Sequence, residues 1–236
     1  ESMRLALADA GAYVADPAIS PVPVEDLLSK SYAANRAAMI DRNVRIPQVD
    51  PGSFAPAATG GDTVYFSTAD RDGNGCSFIN SNYMGFGTGI VPQGCGFSLQ
   101  NRGKGFSLTP GHPNCLEPGK RPYHTIIPGM ATTTKDIDLY AVFGVMGGFM
   151  QPQGHMQVIS RLVDDQVDPQ AALDMPRFSI RDGYHGGPLM LEDIAGPDIT
   201  DGLIGKGHDV RVTSGLDKGA FGLGQIIHRF DSQELC

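Results

Sequence analysis

The chain has 236 residues and a mass of 25.0 kDa, enough for one or two domains with a sizeable core. Its 41% hydrophobic content excludes wholesale disorder, and its formal net charge of -8 argues against a general nucleic-acid binder. No apolar run approaches the roughly 20 residues of a membrane helix, so no membrane contact is expected. The opening Glu1-Ser2-Met3-Arg4 does not resemble a signal peptide, and whether the protein is cytoplasmic or periplasmic stays open.

The first 45 residues have a helical pattern. Ser2 is a candidate N-cap for a helix that runs to about Val14, and a second helix is predicted from Pro23 to about Asp41. Residues 46–62 then contain three prolines and three glycines, which predicts an exposed loop or linker.

From Thr63 the pattern changes to that of strands. Residues 63–69 are rich in β-formers, residues 70–74 form a strong turn signal, and residues 76–81 predict the returning strand of a hairpin. Further short strands are expected near 95–99, 123–128, 139–146, 188–192, 208–213 and 224–230. A helix is predicted after Pro152, with Met156, Ile159, Leu162 and Val163 on one face, and a short helix at 169–174. This mixture indicates an α+β fold.

Three patterns suggest a bound ion or nucleotide but have plainer explanations. The acidic turn at 70–74 imitates the start of a calcium loop, yet Ser81 stands where such a loop needs a Glu. The glycines of 85–89 are followed by Ile90-Val91-Pro92 rather than by a helix start, so no dinucleotide site is expected. The six histidines lack i, i+4 spacing and the four cysteines form no CxxC, so no metal site is expected.

The junction Gly60-Gly61-Asp62-Thr63 has the features of an N-terminal nucleophile hydrolase before self-cleavage. A flexible segment leads directly into a threonine that opens a β-hairpin, so the Thr63 hydroxyl could reach the Asp62 carbonyl. The same spacing also fits an ordinary loop that ends at a strand.

Several motifs, in order, resemble the gamma-glutamyltransferase family. Those that resemble its small subunit are Thr63, residues 70–74, Gly85–Gly89, Pro118–Pro122, Gly144–Gly148, Asp174–Arg177 and the closing Gly-x-Gly-Gln225. Upstream, the runs Met3–Ala6, Ala8-Asp9, Pro23-Val24 and Leu28-Ser29 are similar to the end of its large subunit. The resemblance implies a helical end of the large subunit at 1–45, a processing linker at 46–62 and the small, catalytic subunit at 63–236. Most of the large subunit would then be missing.

This resemblance implies a self-cleaving Ntn hydrolase with an αββα sandwich, made as a zymogen. Thr63 would be both the processing residue, cut from Asp62, and the nucleophile, with its own α-amine (ordinary pKa about 7.7–8.0) as general base. Ser81 would hydrogen-bond the nucleophile, and the amides of Gly147 and Gly148 would form the oxyanion hole. No metal or organic cofactor is needed. The expected partners are a small-molecule amide substrate and the rest of the large subunit, in a heterodimer or an oligomer of it.

The chain departs from the family at the positions that hold a γ-glutamyl donor. Such members have Asn at the position of Tyr83, Gln and Asp at those of Arg102 and Gly105, and a serine pair where this chain has His124-Thr125. The acceptors for the donor's α-ammonium are therefore absent. We expect a preference for acyl groups without that ammonium, with Arg102 gripping a terminal carboxylate.

Alternatives remain at this point. The substrate could be glutathione-like or glutaryl-like, and a glutaryl-cephalosporin acylase-like hydrolase is the first alternative function. The second is an unprocessed, non-catalytic relative with a structural or binding role. Arg102 itself could be an exposed loop residue.

Overall fold

The computed structural model describes residues 1–50, 62–133, 138–181 and 184–230. Three helices open the chain: α1 (Ser2–Tyr13), α2 (Val24–Leu27) and α3 (Lys30–Ala37). Ser2 lies inside α1 and no side chain caps that helix, so the predicted Ser2 cap is wrong. No helix in the described part of the chain is both long and apolar enough to cross a membrane.

The single helix predicted from Pro23 to Asp41 is in fact two. Ser29 interrupts it because its backbone is extended and its hydroxyl accepts a hydrogen bond from the Tyr32 amide at 3.1 Å. A serine in this geometry starts a new helix by satisfying one of its first amides.

Helix α1 packs into the core of the C-terminal half of the chain. Met3 and Leu7 pack against Ile180 and Leu189. The buried Arg4 guanidinium donates to the carbonyl oxygens of His185 and Gly187, the latter at 2.8 Å. These contacts fix the first segment against the remainder of the chain.

The predicted hairpin is confirmed, with β1 (Asp62–Ala69) antiparallel to β2 (Gly75–Tyr83). In the turn the Asp70 carboxylate accepts hydrogen bonds from the amides of Asp72 and Asn74, both at 2.9 Å. The aspartate thus closes an Asx-type turn on its own backbone.

A central antiparallel sheet has the order β3-β4-β8, formed by β3 (Gly129–Thr132), β4 (Leu139–Val145) and β8 (Gly224–His228). One face of β4 packs against the helices α4 (Met150–Val163) and α5 (Pro169–Asp174). The β1–β2 hairpin covers the other face, where the Tyr65 ring lies on Gly144; a Cβ on Gly144 would approach that ring to 2.5 Å. Helices, sheet and hairpin therefore form successive layers.

The predicted apolar face of α4 is only partly confirmed: Leu162 is buried and Ile159 packs against the core, but the helix also buries polar side chains. Met156 and Val163 are 38% and 51% exposed, whereas Gln153 and Gln157 are buried. The Gln153 side chain accepts from the Ile180 amide at 2.6 Å and donates to the Ile180 carbonyl at 3.1 Å, and Gln157 does the same with Phe178 at 2.9 Å each. The two side-chain amides thus satisfy the backbone N–H and C=O groups of Phe178 and Ile180, as a neighbouring strand would.

A second three-stranded sheet has the order β5-β6-β7. It consists of β5 (Phe178–Ile180), β6 (Leu189–Glu192) and β7 (Val210–Thr213), with α6 (Pro197–Gly205) crossing between the parallel strands β6 and β7. The sequence predicted β4, β6, β7, β8 and α5 within a few residues, but it missed β3, β5 and α6.

The strands predicted at 95–99 and 123–128 are wrong. Leu99 exchanges backbone hydrogen bonds with Thr88 and Ile90, so residues 95–99 close a loop instead of joining a sheet. In residues 123–128, the amides of Tyr123 and Ile127 donate to side chains, Asn114 and Gln151. Side-chain acceptors replace the strand partner in this segment.

Candidate active site

The hairpin becomes irregular at the bond between Asp62 and Thr63. Thr63 pairs with Ser81, but Asp62 pairs with Tyr83, so Asn82 is an extra residue in β2. A bulge of this kind bends the strand and redirects side chains, and bulges are common beside active sites. Most of the predicted linker, residues 51–61, lies outside the described residues.

The Thr63 and Ser81 hydroxyl groups are hydrogen-bonded. Thr63 Oγ1 donates to Ser81 Oγ at 3.1 Å, and Ser81 Oγ also accepts from the Tyr83 amide at 2.9 Å. Thr63 is partly exposed. The arrangement orients a partly exposed threonine hydroxyl by a second hydroxyl that is itself fixed to the backbone.

Tyr83 is held in a left-handed backbone conformation, with φ of 79°. This conformation is unusual for a bulky residue and persists only where the surroundings enforce it. Its side chain is 7% exposed, and the Arg102 guanidinium carbon lies 5.2 Å from the centre of its ring. Burial raises the pKa of Tyr83, so the phenol is neutral at pH 7.

Arg102 is a buried cation that lies next to Ser81 and Tyr83 and completes a cluster with Thr63, Ser81 and Tyr83. It is 5% exposed, so its interpretation as an exposed loop residue is wrong. Its Nη1 donates to Thr125 Oγ1 at 2.6 Å and its Nη2 to the Ser81 carbonyl oxygen at 3.4 Å. Burial lowers the pKa of Arg102, but an arginine stays charged near neutrality. Among the residues that the structure describes, no carboxylate contacts this guanidinium.

Gly105 and His124 border the same cluster. Gly105 closes the 3-10 turn that starts at Arg102, and a Cβ there would lie 3.4 Å from the Tyr123 carbonyl oxygen, an ordinary contact. His124 is largely exposed; partial burial of its ring and the neighbouring Arg102 charge lower its pKa. All five predicted substrate-binding residues (Tyr83, Arg102, Gly105, His124 and Thr125) therefore lie in one region.

Gly147 and Gly148 form the turn that leaves β4 and enters α4. Their φ values are 126° and 60°, a combination that favours glycine. Neither of their amides donates a hydrogen bond to another described residue. Phe149, the next residue, stacks on Tyr123 with ring centres 6.0 Å apart. The glycine turn thus borders the segment that carries His124 and Thr125.

The packing of the hairpin indicates where Thr63 lies relative to this turn. The turn end of the hairpin lies over the start of β4, since a Cβ on Gly75 would contact Leu139, and Tyr65 lies further along, over Gly144. Thr63 is therefore at the end of β4 that leads into Gly147. In the described part of the chain no hydrogen bond joins Thr63 to either glycine.

The sequence did not single out Tyr123 and Gln151, which hold the parts of the site together. Tyr123 bridges to Phe149, and Gln151 accepts from the Ile127 amide at 2.9 Å. Their only sequence signal is their position, one residue before His124 and three after Gly148. Among the described residues, no group of three His, Cys, Asp or Glu side chains could hold a metal ion.

Comparison with known proteins identifies relatives along the whole chain. The family model described as gamma-glutamyltranspeptidase matches residues 1–235. The glutathione hydrolase-like YwrD proenzyme of Bacillus subtilis is 38% identical over 75% of this chain and 32% of its own length. The oxamate amidohydrolase proenzyme of Klebsiella pneumoniae is 32% identical over 96% of this chain and 42% of its own length.

Among solved structures, the cephalosporin acylase from Bacillus halodurans is 46% identical to this chain, with a TM-score of 0.84. The match covers 98% of this chain and 40% of that one. The chain thus spans only 32% to 42% of the length of these proteins. The likeness confirms the predicted α+β fold, part of an αββα sandwich of the Ntn-hydrolase type.

Proposed function

The chain belongs to the gamma-glutamyltranspeptidase family, and we propose that it carries the nucleophile of a self-processing amide hydrolase or acyltransferase. In this proposal Thr63 Oγ1 first attacks the Asp62 carbonyl carbon. The ester formed by this N-to-O acyl shift is hydrolysed by water, which frees the Thr63 α-amine. The relatives that are named proenzymes support such processing.

In the mature enzyme the same hydroxyl attacks the substrate's amide carbonyl. The Thr63 α-amine accepts the hydroxyl proton and delivers it to the leaving amine, which leaves an acyl-enzyme ester. Water or an acceptor amine then releases the acyl group. The amides of Gly147 and Gly148, which have no described acceptor, are suited to stabilise the oxyanion of each tetrahedral intermediate.

One observation carries the substrate class: Arg102 is buried without a carboxylate partner among the described residues. Burying an uncompensated charge is costly unless a ligand supplies the counter-charge. We therefore propose an acyl group that ends in a carboxylate, gripped by Arg102 with Thr125 and Tyr83 alongside. A glutaryl group has this form.

A γ-glutamyl donor fits this cluster poorly because it also carries an α-ammonium. A like charge about 4 Å from Arg102 costs on the order of 4 kcal/mol at an effective dielectric constant of about 20. Even half of that corresponds to about thirtyfold in kcat/KM. The neighbour named a cephalosporin acylase agrees with this preference, whereas the relative named glutathione hydrolase-like favours a γ-glutamyl donor as the second candidate.

We further propose the division of the chain into the end of a large subunit (1–45), a processing linker (46–62) and a small subunit (63–236). The complete enzyme would then be a heterodimer in which the remaining large-subunit residues complete the site. The relatives are more than twice as long as the part that this chain matches, which supports the proposal that the complete enzyme has further large-subunit residues.

The test is a paired assay of the processed full-length protein with glutaryl and γ-glutamyl p-nitroanilides. The glutaryl compound should have the higher kcat/KM, and Arg102→Gln should remove most of that preference. Lys104→Gln, which removes an exposed charge two residues away, should leave the ratio unchanged. Faster turnover of the γ-glutamyl compound, with a ratio insensitive to Arg102→Gln, would contradict the proposed substrate class.

A further inference from the structure

Arg102 lies close to the catalytic threonine as well as to the substrate site. Its Nη2 donates to the carbonyl oxygen of Ser81, and Ser81 is the residue that faces Thr63 across the hairpin. We propose that the Arg102 charge keeps the Thr63 α-amine unprotonated in the free enzyme, and that a bound substrate carboxylate cancels this effect. This inference rests on the proposed function of Thr63.

The geometry sets the size of the effect. Arg102 Nη2 lies 3.4 Å from the Ser81 carbonyl oxygen, and facing residues of antiparallel strands have Cα atoms about 4.5–5.5 Å apart, so the guanidinium lies within about 13 Å of the Thr63 nitrogen. A buried cation at this range is poorly screened by salt and disfavours the ammonium form. At effective dielectric constants between about 20 and 80, the titration of the amine moves down by about 0.2 to 1 in pH.

No described carboxylate opposes this charge. The segments around Thr63 (63–69, 75–83, 100–106, 122–128, 139–149 and 222–228) contain no Asp or Glu. Asp62 lies on the other side of the cleaved bond. On the strands and segments packed around Thr63, the tyrosines 65, 83 and 123 are neutral near pH 7, because burial raises the pKa of each.

Two other charged or titratable groups, His124 and Lys104, lie on neighbouring elements. His124 lies beside Arg102 and has a lowered pKa, caused by partial burial and by that cation. Lys104 is exposed on the same 3-10 turn. His228 and Arg229 are at the opposite end of the hairpin, where Arg229 lies against Gly73. Arg102 is thus the one buried cation among these groups that reaches the residue facing Thr63.

The consequence is a substrate-dependent pH profile. The profile of kcat/KM reports the free enzyme, in which Arg102 is uncompensated, and the profile of kcat reports the substrate complex. With a glutaryl substrate the acidic limb of kcat should lie about 0.2 to 1 in pH above that of kcat/KM. With an uncharged acyl group of similar length, such as valeryl, the two limbs should coincide.

The experiment uses the processed full-length enzyme with glutaryl and valeryl p-nitroanilides. Arg102→Gln should move the acidic limb of kcat/KM upward by the same amount for both substrates, whereas Arg102→Lys, which keeps the charge, should leave it near the wild-type position. Lys104→Gln should have no effect. A limb that stays in place in Arg102→Gln, or that moves in His124→Asn instead, would overturn the inference.

Failure of the inference and failure of the proposed function give different results. An intact mass that shows no cleavage, or a cleaved enzyme without amidase activity, would contradict the function of Thr63 itself. A cleaved and active enzyme whose limb is insensitive to Arg102 would contradict only the inference, because catalysis by Thr63 would remain.

Discussion

Asp16 and Arg121 are 105 residues apart and are joined by three hydrogen bonds. The Asp16 carboxylate accepts from the Arg121 amide at 3.0 Å, from Nε at 3.2 Å and from Nη2 at 2.7 Å. It lies before the proposed cleavage site and Arg121 lies after it. Together with Arg4, whose guanidinium binds the Gly187 carbonyl, this pair ties the two proposed fragments to each other.

Asp16→Asn should weaken the attachment of the first fragment to the second after cleavage. An asparagine side chain cannot accept a charge-assisted pair of bonds from a guanidinium, so the urea midpoint at pH 7 should fall. Asp26→Asn, which removes an exposed carboxylate of the same segment, is the matched control. Equal midpoints for the two variants would show that the Asp16–Arg121 contact is not needed.

The effect of Asp16 should disappear in acid. Hydrogen bonds from Arg121 hold the pKa of the Asp16 carboxyl well below its usual range. A lowered pKa contributes stability that is present above the unfolded value, about 3.9, and is lost as the pH falls toward the folded value. The difference in urea midpoint between wild type and Asp16→Asn should therefore be largest near pH 6–7 and should become small below about pH 4.

Thr63→Ala should abolish self-cleavage of the full-length protein, since it removes the hydroxyl that is proposed to attack the Asp62 carbonyl. Wild type should yield two fragments, the smaller of which begins Thr-Val-Tyr, by intact mass and N-terminal sequencing. Thr63→Ser keeps a hydroxyl and should still cleave. Thr68→Ala, at an exposed position of the same strand, should process normally. Cleavage at the same bond in Thr63→Ala would rule out the mechanism.

The sequence predicted the hairpin well because its information is local. The turn at Asp70–Asn74 is closed by Asp70's own side chain, and β-formers flank it on both sides. The sequence could not show that residues 123–128 are not a strand. The amides of that segment donate to the side chains of Asn114 and Gln151, which lie elsewhere in the chain. The burial of Arg102 was equally hidden, since it depends on Thr125 and Tyr83 coming together in the fold.

The glutamines of α4 escaped prediction for a similar reason. A helix pattern identifies apolar faces, but Gln153 is buried because the Ile180 backbone needs partners for both its N–H and its C=O. Sequence alone does not show which strand edge a helix will cover.

Gln153→Met should therefore destabilise the protein although it makes the helix face more apolar. The variant keeps the side-chain volume but leaves the buried Ile180 amide unpaired and its carbonyl with only the Ser179 hydroxyl at 3.5 Å, which costs about 2–3 kcal/mol in the free energy of unfolding. Gln170→Met, an exposed change on α5, should be nearly neutral. Urea denaturation at pH 7 measures both, and equal stabilities would show that water replaces the Gln153 contacts.

Gly105→Asp should shift the substrate preference toward γ-glutamyl donors. The backbone of Gly105 does not have a positive φ, and its Cβ position is 3.4 Å from the Tyr123 carbonyl oxygen, so an aspartate can be accommodated. Its carboxylate would lie three residues from Arg102 on the same 3-10 turn, where side chains at i and i+3 are aligned. It would partly neutralise the guanidinium and offer an acceptor for the donor's α-ammonium. The ratio of kcat/KM for γ-glutamyl over glutaryl p-nitroanilide should rise by about tenfold or more, since about 1.4 kcal/mol suffices for that change. Gly103→Asp places the same charge at an exposed position of the turn and is the control. If Gly103→Asp and Gly105→Asp change the ratio equally, the preference reflects the general field around the turn rather than a contact with the donor.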